Sequence, residues 1–459
     1  MRVSSLFVAL TCAALASTGW AGTLQDVRQA AEQADPTWLA AQRTWEANQQ
    51  LLVQARGNLM PGITASYSHT RYFNTPENPT GDQQKYDRQT AGVNLVQPLF
   101  RLDAWYGYKQ AKTVVSADEA SFAQARQDFL LRVATQYVNV LRNWDALQFA
   151  RANEKAIGRQ LEQTQERYKV GLVPITDVQQ AQSIYDNAKV TLISAKSQFA
   201  IARDQLDALS GKSWDSLDGL KADLPMEGVS PADPAKWITL AQQQNPQLLA
   251  AQMNAKAQSY NASVKSAAML PQVEVVAGYN HTHTSEQNVA AAGIDTDNHG
   301  YNVGVQVSMP LFVGGVLNSQ RKQAALLSEA ADATYKAAYR DTGQAARTQY
   351  RLVQTDAESI KAGAQAIKSA QTALEATQEG YKVGTSTIID VLNAESLLYQ
   401  ARSNYANARY DYIIDSLTLK ATAGVLSEKD LAEVNGWLDA NNQISLDLAQ
   451  AQPATTTKP

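Results

Sequence analysis

The chain is short of residues that react and of residues that turn. Its only cysteine is Cys12, which lies inside an amino-terminal leader, so the exported chain carries no thiol. Disulfide scaffolds, thiolate metal sites and cysteine nucleophiles are thereby excluded. Proline (14) and glycine (24) are sparse for 459 residues, while alanine and glutamine recur throughout. That composition favours long helices over a sandwich of many turns. Charged residues make up 18% and the formal net charge is −4, so there is no basic footprint for nucleic acid. No phosphate-binding loop, no His-Glu-x-x-His and no Gly-x-Ser-x-Gly elbow occurs, so neither an enzyme nor a cofactor is expected. What remains is an ordered chain, 44% apolar, long enough for two or three ordinary domains or one elongated one.

Long apolar runs are also missing. The longest, Leu6 to Ala16, is about half of the roughly 20 residues a spanning helix needs. With Arg2 before it and Gly19-Trp20-Ala21 after it, residues 1–21 read as a secretory signal peptide, with cleavage after Ala21 favoured over Ala16. Leu10-Thr11 lacks the small residue that a lipoprotein signal places before its cysteine. An exported chain without a transmembrane helix is predicted.

The sequence is written twice. Arg167-Tyr168-Lys169-Val170-Gly171 recurs as Gly380-Tyr381-Lys382-Val383-Gly384, an offset of 213 that also maps Ile175, Asp177 and Val178 onto Ile388, Asp390 and Val391. Pro98-Leu99-Phe100 returns as Pro310-Leu311-Phe312, Asp35-Pro36 as Asn245-Pro246, and Pro61 as Pro271. Residues 22–211 and 238–424 thus read as two repeats, with 212–237 as a linker rich in Ser, Asp, Gly and Pro, and 425–459 as a terminal segment ending in a disordered tail.

Each repeat mixes two periods. Leu130, Val133, Tyr137, Val140, Trp144 and Leu147 keep heptad spacing, as do Ala346, Tyr350, Val353, Ala357, Ile360, Ala364 and Ile367. Such spacing predicts helices that pack along their length over residues 102–209 and 313–422. No proline interrupts Leu102 to Tyr168, which at ~1.5 Å per residue implies a rod about 100 Å long. After the Gly171 and Gly384 turns, large and small residues alternate: Val178, Ala181, Tyr185 and Ala188 in one copy, Val391, Ala394, Leu398 and Ala401 in the other. This is either an ordinary coiled-coil seam or a closer approach of helices.

The period changes to two in four segments, about 62–73, 89–98, 272–283 and 300–309. Tyr301, Val303, Val305, Val307 and Met309, for example, alternate with Asn302, Gly304, Gln306 and Ser308. Runs of about ten residues suit tilted membrane strands, with Asn74–Arg88 and Thr284–Gly300 as external loops. Soluble hairpins capping a rod are the alternative, but they would need a cover for their apolar face. Four strands cannot close a pore, since barrels start at ~8. Two copies would supply eight and three would supply twelve, so a homo-oligomer is expected.

The Asp-Pro after a short helix, Pro61, the Pro98-Leu99-Phe100 exit and both Tyr-Lys-Val-Gly turns resemble the TolC family of outer-membrane efflux proteins. The likeness extends through Gly171-Leu172-Val173-Pro174-Ile175-Thr176-Asp177-Val178 and from Gly384 to Asp430-Leu431, and covers about Gly22 to Trp437. It implies a mainly helical homotrimer: a twelve-stranded outer-membrane β-barrel in lipid, four strands per protomer, continuing into a coiled-coil periplasmic tunnel. It implies docking of a periplasmic adaptor (a membrane fusion protein) and an inner-membrane transporter of RND, ABC or MFS type. The adaptor would meet the turns at Gly171, Leu172, Gly384 and Thr385. Thr176, Asp177 and Tyr381 match residues that tie neighbouring coils in the closed state, and Asp390 matches an acidic ring at the constriction. Ser386 stands where TolC-like members have an arginine of that network, and Asn393 where they have a second ring of aspartates. A looser closed state with one carboxylate ring is the expectation, opened when the coils move outward.

Two rivals are weighed beside this. An adhesive coiled-coil stalk anchored in the outer membrane would carry its strands at one end of the chain. A periplasmic adaptor would lack lipid-facing strands. His281 and His283, two apart on one strand face, read as solvated surface or as a metal pair. Trp38, Trp45, Trp105 and Trp144 read as core or interfacial aromatics. Multidrug efflux and type I secretion are the expected tasks, and the sequence does not name the cargo.

Overall fold

The computed structural model describes residues 21–74, 84–223, 229–287 and 296–447. Most of the leader, the Pro453–Pro459 tail and the middle of each expected loop lie outside the described residues. In chain order the elements are β1 (Ala21–Gly22), α1 (Leu24–Ala34), α2 (Pro36–Gly57), β2 (Gly62–Asn74), β3 (Gln84–Phe100), α3 (Leu102–Lys169), α4 (Ile175–Ser210) and β4 (Ser216–Leu220). There follow α5 (Pro234–Gln244), α6 (Pro246–Ala267), β5 (Gln272–Gln287), β6 (Thr296–Ser308), α7 (Val316–Val383), α8 (Ile388–Thr422), α9 (Glu428–Gly436) and β7 (Leu438–Ser445). The run helix, helix, strand, strand, long helix, helix therefore occurs twice, and α3 and α7 both have 68 residues.

The chain divides into two compact units. The first comprises Met1–Ala40, Ala125–Asn245 and Thr342–Pro459. Its helices bury the heptad positions, and residues 213 apart are buried in both copies: Tyr137 and Tyr350, Val140 and Val353, Leu147 and Ile360, Phe199 and Tyr412. The two tyrosines also act alike. Tyr137 Oη donates to a backbone carbonyl, with Asp218 O at 2.8 Å and Gly22 O at 3.1 Å, and Tyr350 Oη donates to Ala232 O. Each buried phenol thus has a backbone acceptor for its hydroxyl.

One seam departs from the expected spacing. Ala364 is exposed, and the buried line runs from Ile360 through half-buried Gly363 and Ile367 to Ala370 and Leu374. Tyr405 explains the shift, because a Cβ at Gly363 would stand 3.3 Å from its ring. The expected linker also holds structure. Trp214, Leu217 and Leu220 are buried, and β4 pairs in parallel with β1 and antiparallel with β7. Apolar side chains set among turn residues found partners distant in sequence.

The second unit comprises Ala41–Gln124 and Pro246–Asp341. Its centre is an antiparallel sheet of order β2-β3-β5-β6. Residues directly opposite share a face, so the register sorts the sheet into two. One face carries the rows Ile63-Leu95-Ala277-Val303 and Ala65-Val93-Tyr279-Tyr301. The other carries Thr64-Asn94-Gly278-Asn302 and Ser66-Gly92-Asn280-Gly300. Val303 and Tyr301 are 77% and 88% exposed, so among the described residues nothing covers this part of the apolar face. Among the described residues β2 and β6 each pair on one side only.

The strands run further than the alternation suggests, into both segments expected as loops. Asp87 accepts from Arg71 Nε at 2.7 Å and Nη2 at 2.8 Å, and the rings of Tyr72 and Tyr86 stack at 4.7 Å with Arg88 over both. Polar side chains complete cross-strand pairs there. Pro98 lies inside β3, at a register shift between Pro98 and Phe100, whereas Pro310-Leu311-Phe312 follows the end of β6. The tryptophans are packing residues: Trp38 stacks on Phe129, Trp45 on Phe122 and Trp105 on Tyr108, and Trp144 tilts against Phe199.

Candidate functional site

The two turns that join α3 to α4 and α7 to α8 lie in the first unit, beside one buried cluster to which all four helices contribute, among them Leu161, Ala181, Leu374 and Val391. Both turns close the preceding helix in the same way. Gly171, at φ +74°, donates to Tyr168 O at 2.9 Å, and Leu172 N donates to Arg167 O at 2.9 Å. Gly384, at φ +83°, donates to Tyr381 O at 3.3 Å, and Thr385 N donates to Gly380 O at 2.8 Å. These paired bonds satisfy the last carbonyls of each helix and require a left-handed residue. Nothing lies within 4 Å of a Cβ placed at either glycine, so the backbone angle alone demands it.

The helices that follow begin differently. Pro174 caps α4 without a side-chain hydrogen bond. Leu172 and Val170 are each 70% exposed beside it, Thr176 is exposed, and half-buried Asp177 stands in the first turn, where a negative charge suits the helix dipole. At α8, Thr387 Oγ1 accepts from Asp390 N, while the Asp390 carboxylate accepts from Thr387 N at 2.8 Å and Thr387 Oγ1 at 2.7 Å. This is a capping box. Those bonds hold the exposed Asp390 carboxyl below its ordinary range, so it stays charged. Asn393, a turn further on, is exposed.

Ser386 folds back on α7. Its N–H reaches Gly380 O at 3.2 Å, and a Cβ at Gly380 would lie 2.5 Å from its Oγ. Tyr381 is half-buried against the cluster, and its hydroxyl is buried without a hydrogen-bond partner. No hydrogen bond joins it to Asp177 within the chain. The Arg167 guanidinium instead lies 4.7 Å from the centre of the Tyr381 ring, joining the end of α3 to the end of α7. Arg167 was visible in the sequence only as the residue opposite Gly380 in the repeat, where the two copies differ.

Asp145 and Asp356 are among the acids perturbed away from the turns. Burial pushes the Asp145 carboxyl up, although Tyr410 Oη donates to it at 2.8 Å. Asp356 is pushed up to about 7, first by burial and then by Asp415. In the second unit the four histidines share the apolar face in two adjacent rows, Tyr67-Ala91-His281-His299 and His69-Gln89-His283-Asp297. His283 Nδ1 stands 3.0 Å and His281 Nε2 3.5 Å from Asp297 Oδ1. Among the described residues, no group of three or more His, Cys, Asp or Glu is placed to hold a metal ion.

The twofold pattern has a counterpart among known proteins. A family model described as outer membrane efflux protein matches residues 27–212 and again 237–425. The chain belongs to the outer membrane efflux protein family. The outer membrane protein TolC of Vibrio cholerae is 34% identical over 439 residues, 95% of this chain and 98% of the relative. The alkaline protease secretion protein AprF of Pseudomonas aeruginosa is 28% identical over 404 residues, 86% of this chain and 83% of the relative. The crystal structure of the outer membrane protein VceC from Vibrio cholerae shares the fold, with a TM-score of 0.74 at 21% identity over 87% of this chain and 96% of that one. As a member of the efflux family, this chain is an outer-membrane efflux channel, of a class that transports and does not catalyse. The adhesive-stalk alternative is not favoured. Among the described residues no helix is long and apolar enough to cross a membrane.

Proposed function

We propose that three copies of this chain close around an axis into a water-filled export conduit. One observation carries the reading: a four-stranded sheet, apolar on one face and polar on the other, whose β2 and β6 edges are each unpaired on one side among the described residues. Unpaired edges and an uncovered apolar face are costly alone. Lipid covers the face, and β6 of one copy meets β2 of the next, giving twelve strands. Residues 22–211 and 238–424 act as duplicated halves, so the trimer has approximate six-fold symmetry. The helices continue the conduit through the periplasm, and the turns at Gly171, Leu172, Gly384 and Thr385 meet an adaptor that links it to an inner-membrane transporter of RND, ABC or MFS type.

The gate lies at those turns, with Thr176, Asp177, Tyr381, Ser386, Asp390 and Asn393 as its residues. Three Asp390 carboxylates facing a narrow aqueous passage concentrate a negative field and favour cations. Opening is a population shift as a partner draws the coils outward. The names of its relatives support drug efflux and type I protein secretion as the tasks.

The gate assignment is tested in planar bilayers with Asp390→Asn, which keeps an acceptor for the cap and removes the charge. Cation preference and divalent-cation block are expected to fall. If both stay at the parent's values, the carboxylate ring is wrong. For cargo, a deletion strain is expected to become sensitive to antibiotics and bile salts and to lose protease or toxin secretion.

A further inference from the structure

We propose that the β5–β6 hairpin binds one divalent transition-metal ion of the zinc class, with His281, His283, His299 and Asp297 as its ligands. All four histidines of the chain lie on one face of the sheet, and three of them form a block with a carboxylate. His281 stands directly opposite His299, and His283 opposite Asp297. Opposite residues hold their Cβ atoms about 4.5–5.5 Å apart, and residues two apart on one strand lie about 7 Å apart on the same face. The four side chains therefore occupy the corners of a small rectangle, two strands wide and two rows deep. Three imidazoles and a carboxylate suit zinc, nickel or copper rather than magnesium or calcium, and zinc takes such a set as a tetrahedron.

Three of the donor atoms already converge. Asp297 Oδ1 lies 3.0 Å from His283 Nδ1 and 3.5 Å from His281 Nε2. A tetrahedral ion with bonds of about 2.0–2.2 Å keeps neighbouring ligand atoms about 3.3–3.5 Å apart, so these spacings are close to those of a filled site. As the side chains stand they do not enclose an ion; the carboxylate is spent on the two rings, and ligation requires it to swing aside while His299 turns in. His281, His299 and Asp297 are exposed and His283 is half-buried, so these rotations leave the ladder undisturbed. The fourth histidine stands apart: His69, on β2, is 3.7 Å from Asp87, which Arg71 also holds. All the ligands come from one hairpin of one chain, so the site exists whether or not copies assemble. A bound ion ties β6, at the edge of the sheet, to β5 at the end of the hairpin away from α6 and α7.

The test titrates Zn2+ into the purified, metal-stripped full-length protein by calorimetry and reads the zinc X-ray absorption spectrum of the loaded parent. One ion per chain is expected, with three imidazoles and one carboxylate oxygen at about 2.0–2.2 Å. His281→Gln, His299→Gln and Asp297→Asn should each weaken binding by at least about 10-fold to 100-fold, the loss seen when even a residue supporting a ligand is removed. His69→Gln should bind as the parent does. Zinc should also slow amide exchange in residues 280–284 and 296–300 of the parent and of His69→Gln, and leave the other three variants unchanged. The site is overturned if the parent takes up no zinc, if fewer than three imidazoles surround the ion, or if His281→Gln and His299→Gln bind as tightly as the parent. Equal weakening by His69→Gln overturns it too, since scattered surface histidines would then be the ligands. Should a variant fail to fold, the absorption spectrum of the parent decides alone.

Discussion

The two helical hairpins end alike and restart differently. Both use a left-handed glycine and the same pair of backbone bonds to close the outgoing helix. The first then starts on Pro174 with an apolar tip, and its acid caps nothing through its side chain. The second starts on a Thr387–Asp390 box, with Ser386 folded over Gly380. Deeper in the helices the copies differ again, since Asp356 faces Asp415 where the first copy has Asn143 and Ala202, 213 residues earlier. The shared backbone is what a turn requires, whereas the side chains that follow it differ.

The largest effect is expected from Asp356→Asn, which makes the second hairpin resemble the first. The folded state holds this carboxyl protonated up to about pH 7, well above its ordinary 3.8. The parent therefore loses stability as pH rises from about 4 to 7. The variant should melt higher at pH 8, by the equivalent of about 2 kcal/mol after allowing for solvent screening, and equal the parent near pH 4. Thermal melts across that range check this.

Gly171→Ala and Gly384→Ala should each cost about 1–2 kcal/mol, and by equal amounts, because only the left-handed backbone is at stake. Unequal costs would break the likeness of the turns. Asp390→Ala should cost about 1 kcal/mol through loss of the box, read as faster amide exchange in the first turn of α8. Asp177→Ala should stay within about 0.5 kcal/mol of the parent, read in the same way at α4.

Much of this architecture was legible from period alone. Leu130, Val133, Tyr137 and Val140 are buried where their spacing puts them, and Val303 and Val305 share a face opposite Asn302 and Gly304. What escaped depended on partners far away in the chain. The five residues of β4 are too few to show alternation and pair with residues 21–22 and 438–445. Gly363 carries no apolar signal, yet it belongs to the seam because Tyr405 fills the space it leaves. The strand ends up to Asn74 and before Arg88 look polar because their stability lies in cross-strand pairs such as Arg71 with Asp87. At the candidate site, resemblance selected Tyr381 and Asp390, and the folded chain adds the Thr387–Asp390 cap. Arg167 lay in plain view, but its partner is more than two hundred residues distant, and only the folded chain joins them.

Assembly around an axis is the claim on which the rest depends, and single-particle electron microscopy of the purified, detergent-solubilised protein tests it most directly. Three chains surrounding a continuous bore, with β6 of each beside β2 of the next, is the result expected. A lone chain, or an assembly whose four-stranded sheets remain separate, would contradict it.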